Sequence, residues 1–148
     1  MRPVVADASV AYKWLAPGRP EEGAQAALDL LQSHFEGLVT IHVPPLLFVE
    51  VGNILVCGRA KPSLPVVREA IGALFALPLT VVSLDQRLAR TAATLAHRLR
   101  LTFHDATYLA LAEALSGELV TADRQLVERA RARGVVRPLT PKASARRR

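Results

Sequence analysis

Cysteine occurs once in the 148 residues, at position 57, so no disulfide can form within the chain. That fits a reducing compartment, and Cys57 reads as a small buried apolar side chain. The histidines, at positions 34, 42, 97 and 104, form no pair at helical ligand spacing, and with a single cysteine there is no spacing that supports a zinc site. Nor does any segment reach the roughly 18 uninterrupted apolar residues of a membrane span. The richest run, Val43 to Cys57, is broken by two prolines, Glu50 and Asn53. Asp7 interrupts the short apolar run at the N-terminus, which argues against a secretory signal. These absences lead us to expect a cytoplasmic protein with no membrane contact.

What is present is a large apolar fraction, 51%, in a length that suits one domain with a real core. The formal net charge is +6, from 19 Lys and Arg against 13 Asp and Glu. A basic balance permits an anionic partner such as nucleic acid without requiring one.

Strand-like and helix-like segments alternate along the chain. Pro3–Ala6 reads as a buried strand, and residues 9–15 as a short helix ended by Pro17-Gly18. Pro20-Glu21-Glu22 suits the first turn of a second helix, with Ala26, Leu30 and Leu31 at helical spacing and Gly37 as its end. Val39–Val43 is the next strand, and Pro44-Pro45 opens a helix to about Gly58. Leu64–Leu77 is helical, Leu79–Leu84 strand-like, and Asp85 caps a helix to about Leu99. An extended piece, Leu101–Phe103, leads to a helix at Asp105. A strand in "GELVTAD", a helix over Leu126–Arg133 and a short strand at Val135-Val136 complete the series. This alternation implies an α/β fold with a parallel sheet. Residues 1–139 are expected to form one domain, and residues 140–148 a disordered basic tail.

Three acids share one local grammar. Asp7 follows "VVA", Asp105 follows "LTF" and Asp123 follows "ELVT", and each precedes a helix. Any one of them reads as an ordinary N-cap. Together they imply more, because strand-to-helix loops of a parallel sheet open onto one edge, where ligand sites lie. Glu50 does not fit capping at all. It sits inside "PPLLFVEVGNILVC", where a buried carboxylate needs a partner or a metal. Asn53, three residues on, is expected on the same helical face. Four clustered carboxylates would repel unless protons or a cation intervened, and hard oxygen donors select Mg²⁺ or Mn²⁺.

"VVADASVAYKWL", "PPLLFVEVGNIL", "TFHDATYLALA" and "LVTADRQL", in that order, resemble the PIN-domain ribonucleases, and among them the VapC-type toxins of toxin–antitoxin pairs. The likeness runs from Val4 to about Leu139. It implies a three-layer α/β/α PIN-like fold with a central parallel sheet. It also implies an endoribonuclease in which Asp7, Glu50, Asp105 and Asp123 hold the metal and are catalytic, with Ser9, Asn53 and Thr121 in support. The implied reaction is hydrolysis of RNA by a metal-activated water, leaving 5′-phosphate and 3′-hydroxyl ends. Implied partners are RNA, a cognate antitoxin and a second copy of the chain, the homodimer using apolar residues of the helices at 44–58 and 64–77. Arg87, Arg90, Arg124 and Arg146–Arg148 are candidates for phosphate contacts. Tyr12, Trp14 and Tyr108 face a choice between stacking on bases and packing in the core, with packing favoured for Trp14.

Alternatives within the fold are a housekeeping PIN nuclease without an antitoxin, or a non-catalytic RNA-binding PIN domain. Other acid-based sheets fit less well. A haloacid-dehalogenase-like phosphatase needs an Asp where Ser9 stands, and a phosphoacceptor receiver domain needs an acidic neighbour that Asp7 lacks.

Overall fold

A computed structural model of the chain describes residues 1–15 and 21–140. The Pro17-Gly18 stop, Pro20 and the basic tail from residue 141 on, including Arg146–Arg148, lie outside the described residues.

The strands are β1 (Arg2–Ala6), β2 (Val39–Val43), β3 (Thr80–Val81), β4 (Glu118–Thr121) and β5 (Val136–Pro138). All pair in parallel, in the order β3-β2-β1-β4-β5. The helices are α1 (Ala8–Leu15), α2 (Ala24–Phe35), α3 (Leu46–Cys57), α4 (Leu64–Ala76), α5 (Gln86–Leu99), α6 (Phe103–Ala114) and α7 (Arg124–Arg129). Helices cover both faces of the sheet, giving three α/β/α layers. The central strand shows why its sequence is apolar throughout: Val4, Val5 and Ala6 are all fully buried, so neither face meets water.

The strand order reverses between β1 and β4. In sheets of this kind a crevice opens at the carboxyl ends of those two strands. Their register pairs Ala6 with Val120, so the residues that follow, Asp7 and Thr121, emerge side by side.

Helix α6 answers the oddity of an acid followed by an apolar run. Every residue from Ala106 to Ala112 is buried, because this helix packs against β1, β4 and α5 at once. Asp105 stands where that helix reaches the crevice. Its cap, however, is not Asp105. Phe103 already belongs to the helix, and the Thr102 hydroxyl accepts the Asp105 N–H at 3.1 Å. Of the expected extended piece Leu101–Phe103, Thr102 keeps an extended backbone as the N-cap and only Phe103 is helical.

Other boundaries moved for identifiable reasons. Helix α2 begins at Ala24, because Gly23 sits at φ 81° and Glu22-Gly23 form a turn. Strand β3 is an edge of only two residues, since its neighbour β2 runs into Pro44-Pro45, which has no N–H to extend a ladder. The last helix divides into α7 and a 3-10 turn, Arg131–Arg133, ended by Gly134 at φ 71°. Asp85 does cap α5, accepting the Leu88 N–H at 2.7 Å.

On α3 the buried line is Leu47, Val51 and Leu55. At about 100° per residue, Glu50 lies about 100° from the middle of that line and Asn53 about 160°. Glu50 is accordingly half-buried and Asn53 exposed: the two lie on the same side of α3, about 60° apart, with Asn53 further from the core. Cys57 also lies on the outward side and is exposed, contrary to the expected buried thiol. No described helix is long and apolar enough to cross a membrane.

The turn from α6 into β4 depends on Gly117. A Cβ there would stand 2.4 Å from the Pro3 carbonyl oxygen on β1, a contact neither backbone can yield cheaply. Gly117→Ala should therefore lose about 1–3 kcal/mol in denaturant unfolding. Gly72→Ala, on the exposed side of α4 with open space around it, should gain about 0.5–1 kcal/mol. Equal effects of the two substitutions would contradict the β1–β4 contact.

Candidate active site

Asp7 is the first residue beyond β1 and is 4% exposed. Its backbone carbonyl accepts the Val10 and Ala11 N–H groups, which starts α1. Its side chain is held on both sides. Oδ1 accepts from the Ser9 hydroxyl at 2.5 Å and from the Val10 N–H at 3.3 Å, and Oδ2 accepts from the Thr121 hydroxyl. Each hydroxyl in turn accepts a backbone N–H from the loop after β4: Ala122 to Ser9 at 2.9 Å, and Asp123 to Thr121 at 3.0 Å. Two parallel relays thus tie the end of β1 to the start of α7. Ser9 and Thr121, read from the sequence as lesser residues, are central to this clamp.

Asp123 is exposed and caps α7, its Oδ1 accepting the Gln125 and Leu126 N–H groups at 2.9 and 3.2 Å. Asp105 is half-buried at the start of α6. Glu50 reaches in from α3, where the Tyr108 hydroxyl donates to its Oε1 at 2.7 Å. Tyr108 is 1% exposed, which removes it as a stacking surface. Sequence reasoning assigned the support of Glu50 to Asn53. The available signal was Tyr108 itself, three residues after Asp105 and hence on the same side of an otherwise apolar helix. Trp14 packs in the core as expected, donating its Nε1–H to the Ala27 carbonyl at 2.9 Å.

The acids sense one another. Burial pushes the Asp7 carboxyl up to about 6, against the lowering effect of Ser9, Thr121 and the Val10 N–H, and the charge of Asp105 adds to the rise. The Asp105 carboxyl is also raised, by burial first, then by Asp123 and Glu50, while Thr102 and His104 pull the other way. Burial, then the bond to Glu50, raises the Tyr108 phenol, which also feels Asp7 and Asp105. Among the described residues none of the four acids is in an ion pair; the pairs present join other residues.

Asp105, in range of each of the other three acids, makes with them a donor set of anionic oxygens, the chemistry that suits a hard divalent cation. As placed, no three His, Cys, Asp or Glu side chains among the described residues form a group that could hold a metal ion.

A stability prediction follows from Asp7. Folded, it keeps its proton up to about pH 6; its ordinary value is 3.8. Between those values the folded chain binds more protons than the unfolded one, so stability falls as pH rises through the window. Asp105 acts in the same direction. In metal-free chemical denaturation from about pH 4 to about pH 7, the native chain should lose about 2 kcal/mol relative to Asp7→Asn. Parallel profiles for the two proteins would contradict a buried, cation-deficient Asp7.

The chain is similar to known proteins in sequence family and in fold. The family model of the PIN domain matches residues 4–132. Among solved structures, VapBC2 from Rickettsia felis bound to a DNA fragment from its promoter superposes with a TM-score of 0.67 at 10% identity, over 92% of this chain and 98% of that one. FitAcB from Neisseria gonorrhoeae gives 0.66 at 17% identity, over 95% and 99%. VapC20 from Mycobacterium tuberculosis, described as a sarcin–ricin loop cleaving toxin, gives 0.63 at 15% identity, over 84% and 93%. No curated protein sequence matches. The order of the strands, the clamp on Asp7 and the span of the family match lead to one conclusion: this chain belongs to the PIN-domain family.

Proposed function

We propose that the chain is a Mg²⁺- or Mn²⁺-dependent endoribonuclease that acts in the cytoplasm as the toxin of a type II toxin–antitoxin pair. The observation that supports this reading is that Asp105 stands within electrostatic range of Asp7, Glu50 and Asp123, none of the four being in an ion pair among the described residues. The family membership supports nuclease chemistry. The fold shared with toxins that were solved alongside antitoxins supports the partner.

Asp7, Glu50 and Asp105 would hold the cation, with Asp123 completing or extending the set. When bound, the cation supplies positive charge against the scissile phosphate and acidifies water. The chain's own residues do the rest. Ser9 and Thr121 keep Asp7 fixed, so the most buried carboxylate does not reorganise during the reaction. Asp123 commits only Oδ1 to capping, which leaves Oδ2 to orient the attacking water and take its proton. Water adds across the P–O3′ bond, and the products are a 5′-phosphate and a 3′-hydroxyl. Arg87, Arg90 and Arg124 are exposed and would meet flanking phosphates.

The antitoxin is expected to lay its C-terminal segment in the groove and to place an arginine or other group among the carboxylates. A second copy would cover the apolar face of α3 and α4. Val49 is 69% exposed and Phe75 66% exposed there, with the Phe48 and Phe75 rings 4.4 Å apart. Asn53 and Val56 lie on the same outward side of α3.

Two experiments test this reading. With labelled RNA, Mg²⁺ or Mn²⁺ should give cleavage that EDTA stops and Asp7→Asn lowers at least 100-fold, about 2.7 kcal/mol in barrier. Binding of RNA without cleavage under those conditions would favour a non-catalytic PIN domain. Light scattering at micromolar concentration should report a dimer, and Val49→Asp with Phe75→Asp a monomer. A monomeric native chain would remove the α3–α4 interface.

A further inference from the structure

We infer that Tyr108 is a positioning residue: its buried hydroxyl fixes Glu50 from behind and leaves one carboxylate oxygen of Glu50 to face the cation. The inference rests on the metal-nuclease reading and goes beyond it, because Tyr108 would touch neither metal nor RNA.

Glu50 lies on a half-buried flank of α3, where a long side chain has many rotamers and water within reach. The only hydrogen bond to its side chain among the described residues comes from Tyr108, 58 positions further along the chain. Tyr108 is rigid by contrast. It is 1% exposed and set in a helix whose neighbours from Ala106 to Ala112 are all buried. A phenylalanine would fill the same space, and a buried hydroxyl without a partner is costly, so the oxygen is tolerated only through its bond to Glu50. Surrounded by Glu50, Asp7 and Asp105, the phenol stays protonated, and the polarity of the bond is fixed: the phenol donates and Oε1 accepts.

The consequence is geometric. Asp105 and Tyr108 are one turn apart on α6, so the same helix presents one carboxylate directly and anchors another. Packing of α6 on the central strands then fixes the relation of Glu50 to Asp105 as well as to Asp7. Asn53 lies about 60° further round α3 than Glu50, away from the core, and is exposed.

The test is Tyr108→Phe in the full chain, read by calorimetric titration of Mn²⁺ without RNA. Loss of an outer contact of this kind should weaken Mn²⁺ binding about 10-fold or more. The metal-free unfolding midpoint should hardly move, because Glu50 can turn to water. In a Glu50→Ala background the same substitution should cost no further Mn²⁺ affinity, since the hydroxyl acts only through Glu50. In metal-free native protein, the Tyr108 hydroxyl proton should be protected enough to observe by NMR, and absent in Glu50→Ala. Unchanged Mn²⁺ affinity in Tyr108→Phe, or an equal loss in the Glu50→Ala background, would overturn the inference while leaving the nuclease reading intact. No Mn²⁺ binding by the native chain, with the hydroxyl signal present, would instead remove the nuclease reading and this role with it.

Discussion

A carboxylate with almost no solvent contact and no cation beside it ought to be expelled from a protein interior or neutralised there. Asp7 is neither salt-bridged nor exposed, yet it stands at the end of the central strand with two hydroxyls and a backbone N–H turned toward it. The rest of the site depends on that arrangement. Ser9 comes from the start of α1 and Thr121 from the end of β4, so the clamp closes only where these two elements meet. They meet because β4 returns to pair with β1 on the side away from β2. The parallel register then delivers Thr121 beside Asp7, and the hydroxyl relays carry the constraint on to the Asp123 backbone. What looks locally like helix capping is thus also the means by which distant segments agree on where Asp7 points.

Much of this was legible in the sequence because it is written in local patterns. The central strand appears as an unbroken apolar run, Val4-Val5-Ala6, and the alternation of Val39, Ile41 and Val43 with Thr40 and His42 marks β2 over the residues it occupies. The acids at the ends of β1 and β4 could be read from their position before helices. Other features depend on packing and were not legible. Glu50 and Asn53 are three residues apart, which brings two side chains near each other but does not say on which flank of α3 the core lies. Only the line Leu47, Val51 and Leu55 settles that, and it leaves Asn53 outside. Asp105 was read as a cap because it precedes an apolar run, whereas Thr102 takes that role one turn earlier. Tyr108 could be placed on the side of Asp105, but its partner lies 58 residues away, a distance no periodicity reports. The habit of its residue type points to a buried Cys57, yet it ends α3 off the buried line and is exposed.

The price of the site is visible in its electrostatics. Burial and neighbouring acids raise the Asp7 and Asp105 carboxyls, so the metal-free chain carries charge that the fold does not stabilise. Catalytic centres often hold such tension, because a group left short of positive charge is poised to bind it. The apolar helix α6 makes the tension tolerable: seven successive buried residues anchor the element that brings Asp105 to the crevice.

The central claim is that these separated acids share one cation. Crystals grown with Mn²⁺ and measured by anomalous scattering test it most directly. The account requires a peak coordinated by Asp7, Glu50 and Asp105, with Asp7 unmoved and still held by Ser9 and Thr121. A peak elsewhere, or no peak at saturating Mn²⁺ with Glu50 and Asp105 turned away from Asp7, would contradict it.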